Sequence, residues 1–384
     1  MLSPLSTLGI ALLALLAPLA PITHASRTYF YVGGNYTLDS NGEHIHSGQI
    51  YVEKLTPAVV TQPHPIVFIH GQAQTGTNWL NKPDNQPGWA RYFLSQGYEC
   101  YILDQPFRAR SPWQSFNGAL STYSAEHLEQ YFTATEKYNL WAQASLHTQW
   151  PGTGEMHDPI FDAYYTSTVP FVGDPATQEA AMRDAGAALL EKIGEPVFLL
   201  GHSQGGLMAW AVADSRPELI HTIIAIEPSG PPFVEAMWGG GPARKWGLTD
   251  TPLKYSPEVS NPETELVKTT VPSNDSDRFD CVLQAEDPPP RRLANIALIP
   301  VLLVTSEASY FAQYDWCMAG FLRQAGVQTE HVQLADEGIR GNGHMMFLEE
   351  NSDAIAELLH GKMQRYATGG GGSELRRAQG VMEI

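Results

Sequence analysis

Cations and long apolar runs are what this chain has little of. Lys and Arg number 23 against 41 Asp and Glu, a net charge of −18. Nucleic acid or an anionic membrane would require clustered cations, so neither is expected as a partner. The apolar run LGIALLALLAPLA at 8–20 is too short and too broken by proline to cross a bilayer as a helix. No second run follows it, so no stable membrane anchor is expected. Three cysteines permit one disulfide and leave a thiol over. Cys100 sits in GYECYILD, a buried-strand pattern in which a thiol behaves as a small hydrophobe. That leaves Cys281 and Cys317 for a bridge, allowed in an oxidising compartment. His44-Ile45-His46 has no Cys or carboxylates beside it at ligand spacing and reads as a solvated loop. Neither a metal nor a cofactor is therefore expected.

What is present describes a well-cored protein. Hydrophobic residues make up 43% and charged residues 17%, which excludes wholesale disorder. The first 25 residues carry no charge, and Thr23-His24-Ala25 closes the apolar run with a small-x-small site. Residues 1–25 thus read as a secretory signal peptide without the usual basic start, and the mature protein as secreted. Asn35 (N-Y-T) and Asn274 (N-D-S) are glycosylation sequons, which makes the chain a candidate glycoprotein.

Short apolar runs alternate with helix-period segments, the pattern of an α/β fold with a mostly parallel sheet. TYFYVGGNYTL and QIYVEKL predict an opening hairpin. Strands follow at 65–70, 100–104, 196–200, 221–227, 299–305 and 329–335. Helices are expected at 89–96, after Ser203, and at 178–193, 309–326 and 352–367, the last with Ser352 as N-cap. Residues 26–366 make a single domain. Two stretches break the rhythm, 111–177, crowded with aromatics, and 229–295, rich in Pro, Gly, Ser and Thr. Insertions of that length are expected to be lids. Residues 367–384, with TGGGGSELRRAQGVMEI, read as a disordered tail.

The chemistry centres on VFLLGHSQGGLMAW. A strand runs into G-x-S-x-G and then a helix, the context of a nucleophile elbow at Ser203. Gly201 and Gly205 fit because the backbones on either side of the strained turn approach closely. The helix N-terminus favours negative charge there. A serine hydroxyl needs a base, and in this arrangement the order is Ser, acid, His. His202 adjoins Ser203 on a sharp turn and is expected to fill space. His221 and His331 lie in strands and His360 in a helix. His344, in the loop RGNGHMMF, is the candidate base. Two acids stand level by position: Glu307 after IPVLLVTS and Glu227 in AIEPSGPP. The amides of Gln72, in HGQA after the strand PIVFI, and of Gln204 are the candidate oxyanion hole.

HGQAQTGTNW (70–79), GWARYFLSQGYECYILDQPFRARS (88–111), LLGHSQGG (199–206), AIEP (225–228) and GNGHMMF (341–347) occur in order along most of the chain. With them the chain resembles the α/β-hydrolase superfamily, and more narrowly the secreted, unusual bacterial esterases called the 713 esterase group and their fungal relatives. That resemblance implies the α/β-hydrolase fold, and a triad acid taken from the strand before the usual one, which favours Glu227 over Glu307. Where the group has adjacent cysteines in the oxyanion loop this chain has Gln72-Ala73, so no disulfide carries over there. Its G-R-G-R-S reads F-R-A-R-S here, with Phe107 and Ala109 in place of glycines. The expected activity is a serine esterase or lactonase acting through an acyl-enzyme on a medium-sized apolar or aromatic small molecule. The alternative is an enzyme of secondary metabolism that dehydrates, cyclises or isomerises on the same scaffold.

Overall fold

Runs such as IVFI, VFLLGH and VLLVT have almost no polar side chains because a parallel sheet covered by helices buries both faces of its strands. A computed structural model describes residues 24–368, and eight strands in it form one sheet. They are β1 (His24–Leu38), β2 (His44–Pro57), β3 (Ile66–Ile69), β4 (Cys100–Asp104), β5 (Val197–His202), β6 (Ile220–Ile226), β7 (Val301–Thr305) and β8 (Thr329–Gln333). Their spatial order is β1-β2-β4-β3-β5-β6-β7-β8. β1 and β2 pair antiparallel, with Val32 opposite Ile50, and β2 pairs antiparallel with β4. The pairings from β4 through β8 are parallel. Every residue of β3, β4, β5 and β7 is buried. The histidines read as a loop, His44 and His46, instead open β2, where cross-strand pairing with β1 holds them in the ladder.

Five helices cover the sheet: α1 (Trp89–Ser95), α2 (Pro175–Ile193), α3 (Gln204–Ser215), α4 (Asp315–Gln324) and α5 (Ser352–Ala367). α1 packs on α5, and α2 on α3. α2 starts three residues before its expected first turn, because Asp174 caps it by accepting from Thr177 N and Pro175 occupies the first turn. Gly194 in the left-handed region ends it. The aromatic insertion therefore yields 175–177 to this helix. α5 has Asn351, not Ser352, at its cap position, with no side-chain cap bond; Ser352 is already helical and its N–H bonds Glu349 O. α5 also runs through Ala367, the first residue of the expected tail. No helix among the described residues is long and apolar enough to cross a membrane. The leader lies outside the described residues apart from His24 and Ala25, and so does the tail from 369.

Both insertions rise from the carboxyl ends of strands. The first, between β4 and α2, holds a small hairpin, Leu120–Ser121 with Phe171–Val172, and the helix Pro159–Thr166. The second, between β6 and β7, carries the strand pair Lys268–Val271 and Cys281–Gln284. A disulfide joins Cys281 to Cys317 of α4, tying this insertion to the sheet's helical layer, while Cys100 is free and buried.

Candidate active site

Strand β5 ends in a turn that only close backbone approach permits. Ser203 has φ 54° and ψ −121°, a strained conformation for a residue with a side chain. A Cβ on Gly201 would lie 2.3 Å from Gly205 O, and one on Gly205 would lie 2.3 Å from Ile69 O. Ser203 N donates to Ile226 O at 2.9 Å, and Ser229 N donates to Ser203 O at 3.0 Å. The turn is thus pinned to the end of β6, the strand that delivers Glu227.

Glu227 follows β6 with φ 43° and is fully buried. Its Oε2 lies 2.6 Å from His344 Nδ1. Ser306 N and Oγ donate to its Oε1 at 2.8 and 2.5 Å, and Ser309 Oγ donates to Oε2 at 2.8 Å. Burial pushes the carboxyl's pKa up, and these donors oppose it by favouring the ionised form. Burial also holds His344 well below the ordinary imidazole value. Phe311 stacks on the His344 ring with centroids 4.8 Å apart. Glu307 points elsewhere: it binds Arg340 Nη1 at 2.5 Å and Gly341 N at 2.9 Å.

Sequence reasoning missed Ser306 and Ser309. Their signal was present in VTSEAS, two hydroxyls flanking the alternative acid just after β7. It also gave His202 too small a part. His202 Nε2 lies 3.0 Å from the His344 carbonyl, to which it donates, and the two rings are 4.4 Å apart. The loop bearing His344 is held further by Glu349, which accepts from Gly343 N at 2.9 Å and Asn342 Nδ2 at 2.7 Å. His147, from the aromatic insertion, meets the same carboxylate at 2.7 Å. Phe347 anchors the loop's far side against Trp79, with ring centroids 4.6 Å apart.

Gln72 and Gln204 border the same space as Ser203. Gln204 opens α3, so its amide has no carbonyl one turn back in that helix to bond. Tyr123 OH donates to Gln72 Oε1 at 2.8 Å. Arg108, bonded to Gly71 O and to the Gln204 side chain, is buried and drawn down to about 9 by loss of water, still cationic at neutral pH. Ser203, His344, Gln72 and Gln204 line one cavity of about 210 Å³, whose other walls include Phe132, Trp238, Tyr310 and Leu207. Among the described residues no cluster of three or more His, Cys, Asp or Glu is arranged to hold a metal.

The model of the alpha/beta hydrolase family matches residues 66–358. The chain belongs to the alpha/beta hydrolase family. Within that family it is 46% identical, over 332 residues, to a protein of Fungal sp. (strain ATCC 74256) called "probable secreted lipase phiG", covering 86% of this chain and 88% of that one. Among solved structures, the fold resembles a novel bacterial esterase at atomic resolution, with a TM-score of 0.59 and 21% identity over 91% of this chain and 98% of that one. Sheet order accounts for the gathering of the site: Ser203 and Glu227 leave the carboxyl ends of the neighbouring strands β5 and β6, and His344 lies in the loop after β8, one strand further on past β7.

Proposed function

We propose that this alpha/beta hydrolase is a secreted serine esterase or lactonase with Ser203, His344 and Glu227 as its triad. The observation that carries this reading is the 2.6 Å contact of His344 Nδ1 with Glu227 Oε2, on a ring that lines the same cavity as the strained Ser203. With Nδ1–H given to the carboxylate, His344 Nε2 is left with its lone pair toward the cavity.

Ser203 Oγ attacks the ester carbonyl carbon, and its proton passes to His344 Nε2. The oxyanion rests on the amides of Gln72 and Gln204. The C–O bond to the alcohol breaks as Nε2 returns the proton to the leaving oxygen. Water then attacks the acyl-enzyme by the same route, releasing the acid and free Ser203. Glu227 accepts the Nδ1–H, holds the ring in place and stabilises the transient imidazolium. Phe132, Trp238, Tyr310 and Phe311 in the cavity wall support a medium-sized apolar or aromatic acyl or alcohol group, and the two insertions serve as its lid. Secretion is supported by the uncharged leader and the fungal relative's name, and Asn35 and Asn274 are both exposed, as glycan acceptors must be.

The test is a fluorophosphonate label together with p-nitrophenyl esters of graded chain length. Wild-type protein should take up one label and hydrolyse the esters, and Ser203→Ala should do neither. An unlabelled wild type, or a Ser203→Ala variant that keeps its activity, would point to non-hydrolytic chemistry on this scaffold.

A further inference from the structure

The two arginines of DQPFRARS have opposite surroundings. Arg110 lies between two carboxylates, Asp104 at 2.7 Å and Glu53 at 3.1 Å. Arg108 is 2% exposed and meets no carboxylate among the described residues. Its partners are neutral: Nη1 donates to Gly71 O at 3.1 Å, and Nη2 donates to the side-chain oxygens of Gln204 and Gln178. Its Nε has no partner. A buried guanidinium without counter-charge is costly. The backbone adds to that cost, since Phe107 and Ala109 on either side have φ of 66° and 46°, a region side chains resist. A brace between neutral loops has no need of a cation.

The groups Arg108 holds are those against which an oxyanion would form. Gly71 C=O and Gln72 N–H belong to one planar peptide, and its trans geometry points the N–H away from the guanidinium. The same carbonyl lies 2.8 Å from His70 Nδ1. Gln105 N donates to His70 Nε2 at 3.0 Å, so the proton is on Nδ1 and His70 donates to Gly71 O as well. A carbonyl that accepts from a cation and an imidazole polarises its own N–H into a stronger donor. Gln204, whose amide is the second candidate donor, is gripped by the same guanidinium through its side chain.

We propose that Arg108 is a positioning residue for the oxyanion, orienting the Gly71–Gln72 peptide and Gln204 and setting an uncompensated positive charge behind them. An ester is neutral in its ground state, so the missing counter-charge arrives only as the tetrahedral oxyanion forms. The interaction is therefore stronger in the transition state than in the bound substrate, the condition for raising kcat rather than lowering KM. The proposal rests on the reading of Ser203 as nucleophile.

Arg108→Gln keeps hydrogen-bonding capacity and removes the charge, while Arg108→Lys keeps the charge in a smaller group. Each variant and the wild type would be titrated with an alkyl trifluoromethyl ketone, which forms a tetrahedral oxyanion on a serine, and with the matching methyl ketone, which stays trigonal. Arg108→Gln is expected to lower kcat about tenfold or more, less than the 10²–10³ for deleting a donor outright. The trifluoromethyl ketone should weaken by the same factor, with KM and methyl ketone binding within about twofold of wild type. Arg108→Lys should recover part of both losses, and it decides the matter alone where Arg108→Gln does not fold. Equal weakening of the two ketones, or none, in a variant that melts like wild type overturns the proposal. A wild type that takes no fluorophosphonate overturns the Ser203 reading and this proposal with it; a labelled wild type with unchanged ketone affinities overturns this one by itself.

Discussion

His344 Nδ1 reaches Glu227 Oε2 at 2.6 Å, and that carboxylate leaves the end of β6 rather than β7. Ser306 and Ser309, which do follow β7, contribute hydroxyls to this carboxylate. The β7 end therefore lends hydroxyls to the carboxylate that meets His344, while its own Glu307 turns to Arg340. Glu227→Gln should lower kcat on p-nitrophenyl esters about 10⁴-fold, as loss of the orienting acid does elsewhere. Glu307→Gln should stay within about threefold, because Glu307 holds only Arg340 and Gly341. A dead Glu307→Gln beside an active Glu227→Gln would reverse the assignment.

The pH profile follows from the burial of His344. Only the neutral ring accepts the Ser203 proton, so activity is present above the His344 pKa and lost as pH falls through it. Burial lowers that pKa from the ordinary 6.5, so the acid limb of kcat/KM should have its midpoint below 6.5. A midpoint at or above that value would show that the ring is not held in the dry environment described.

Stability should depend on pH through His147. Burial pulls its pKa down, but the charge of Glu349 and the hydrogen bond to it prevail, and the net shift is upward. A group raised in the folded state stabilises fully below its unfolded pKa, and loses that contribution as pH rises through the folded value. His147→Gln keeps a donor and removes the charge. It should lower stability in mild acid by about 1.5–3 kcal/mol, the worth of a hydrogen bond between charged groups, and by little at alkaline pH. Thermal melts of both proteins across that range check it, and an equal loss at all pH values would count against the ion pair.

The disulfide spans 36 residues. Loop-closure entropy makes its removal cost about 3–4 kcal/mol. The Cys281→Ala/Cys317→Ala double variant should unfold at correspondingly lower denaturant, and reductant should lower the midpoint of the wild type but not of the variant.

Much of this protein can be read along the chain, because its determinants are local. The strand runs, the elbow glycines and the turn before α3 depend on neighbours within a few residues, so Ser203 stood out without any fold. The cysteine bridge followed from a count of three and one buried-strand pattern. The cap of α5 was misread by one residue, since Asn351 and Ser352 are both polar and only the observed helix start separates them. Arg108 and Arg110 look alike in FRARS, and nothing within that string says which of them has a carboxylate.

Sequence alone determined the sheet's strands, the strained turn at Ser203 and the loop of His344, for which period and turn chemistry suffice. Tertiary structure decided which of Glu227 and Glu307 lies against His344, the contacts of Ser306, Ser309 and His202 with Glu227 and His344, and the solitary charge of Arg108. Those relationships join residues tens to more than a hundred positions apart. Whether a buried group is paired depends on what the sheet brings beside it, and that is set by strand order in space rather than by order along the chain.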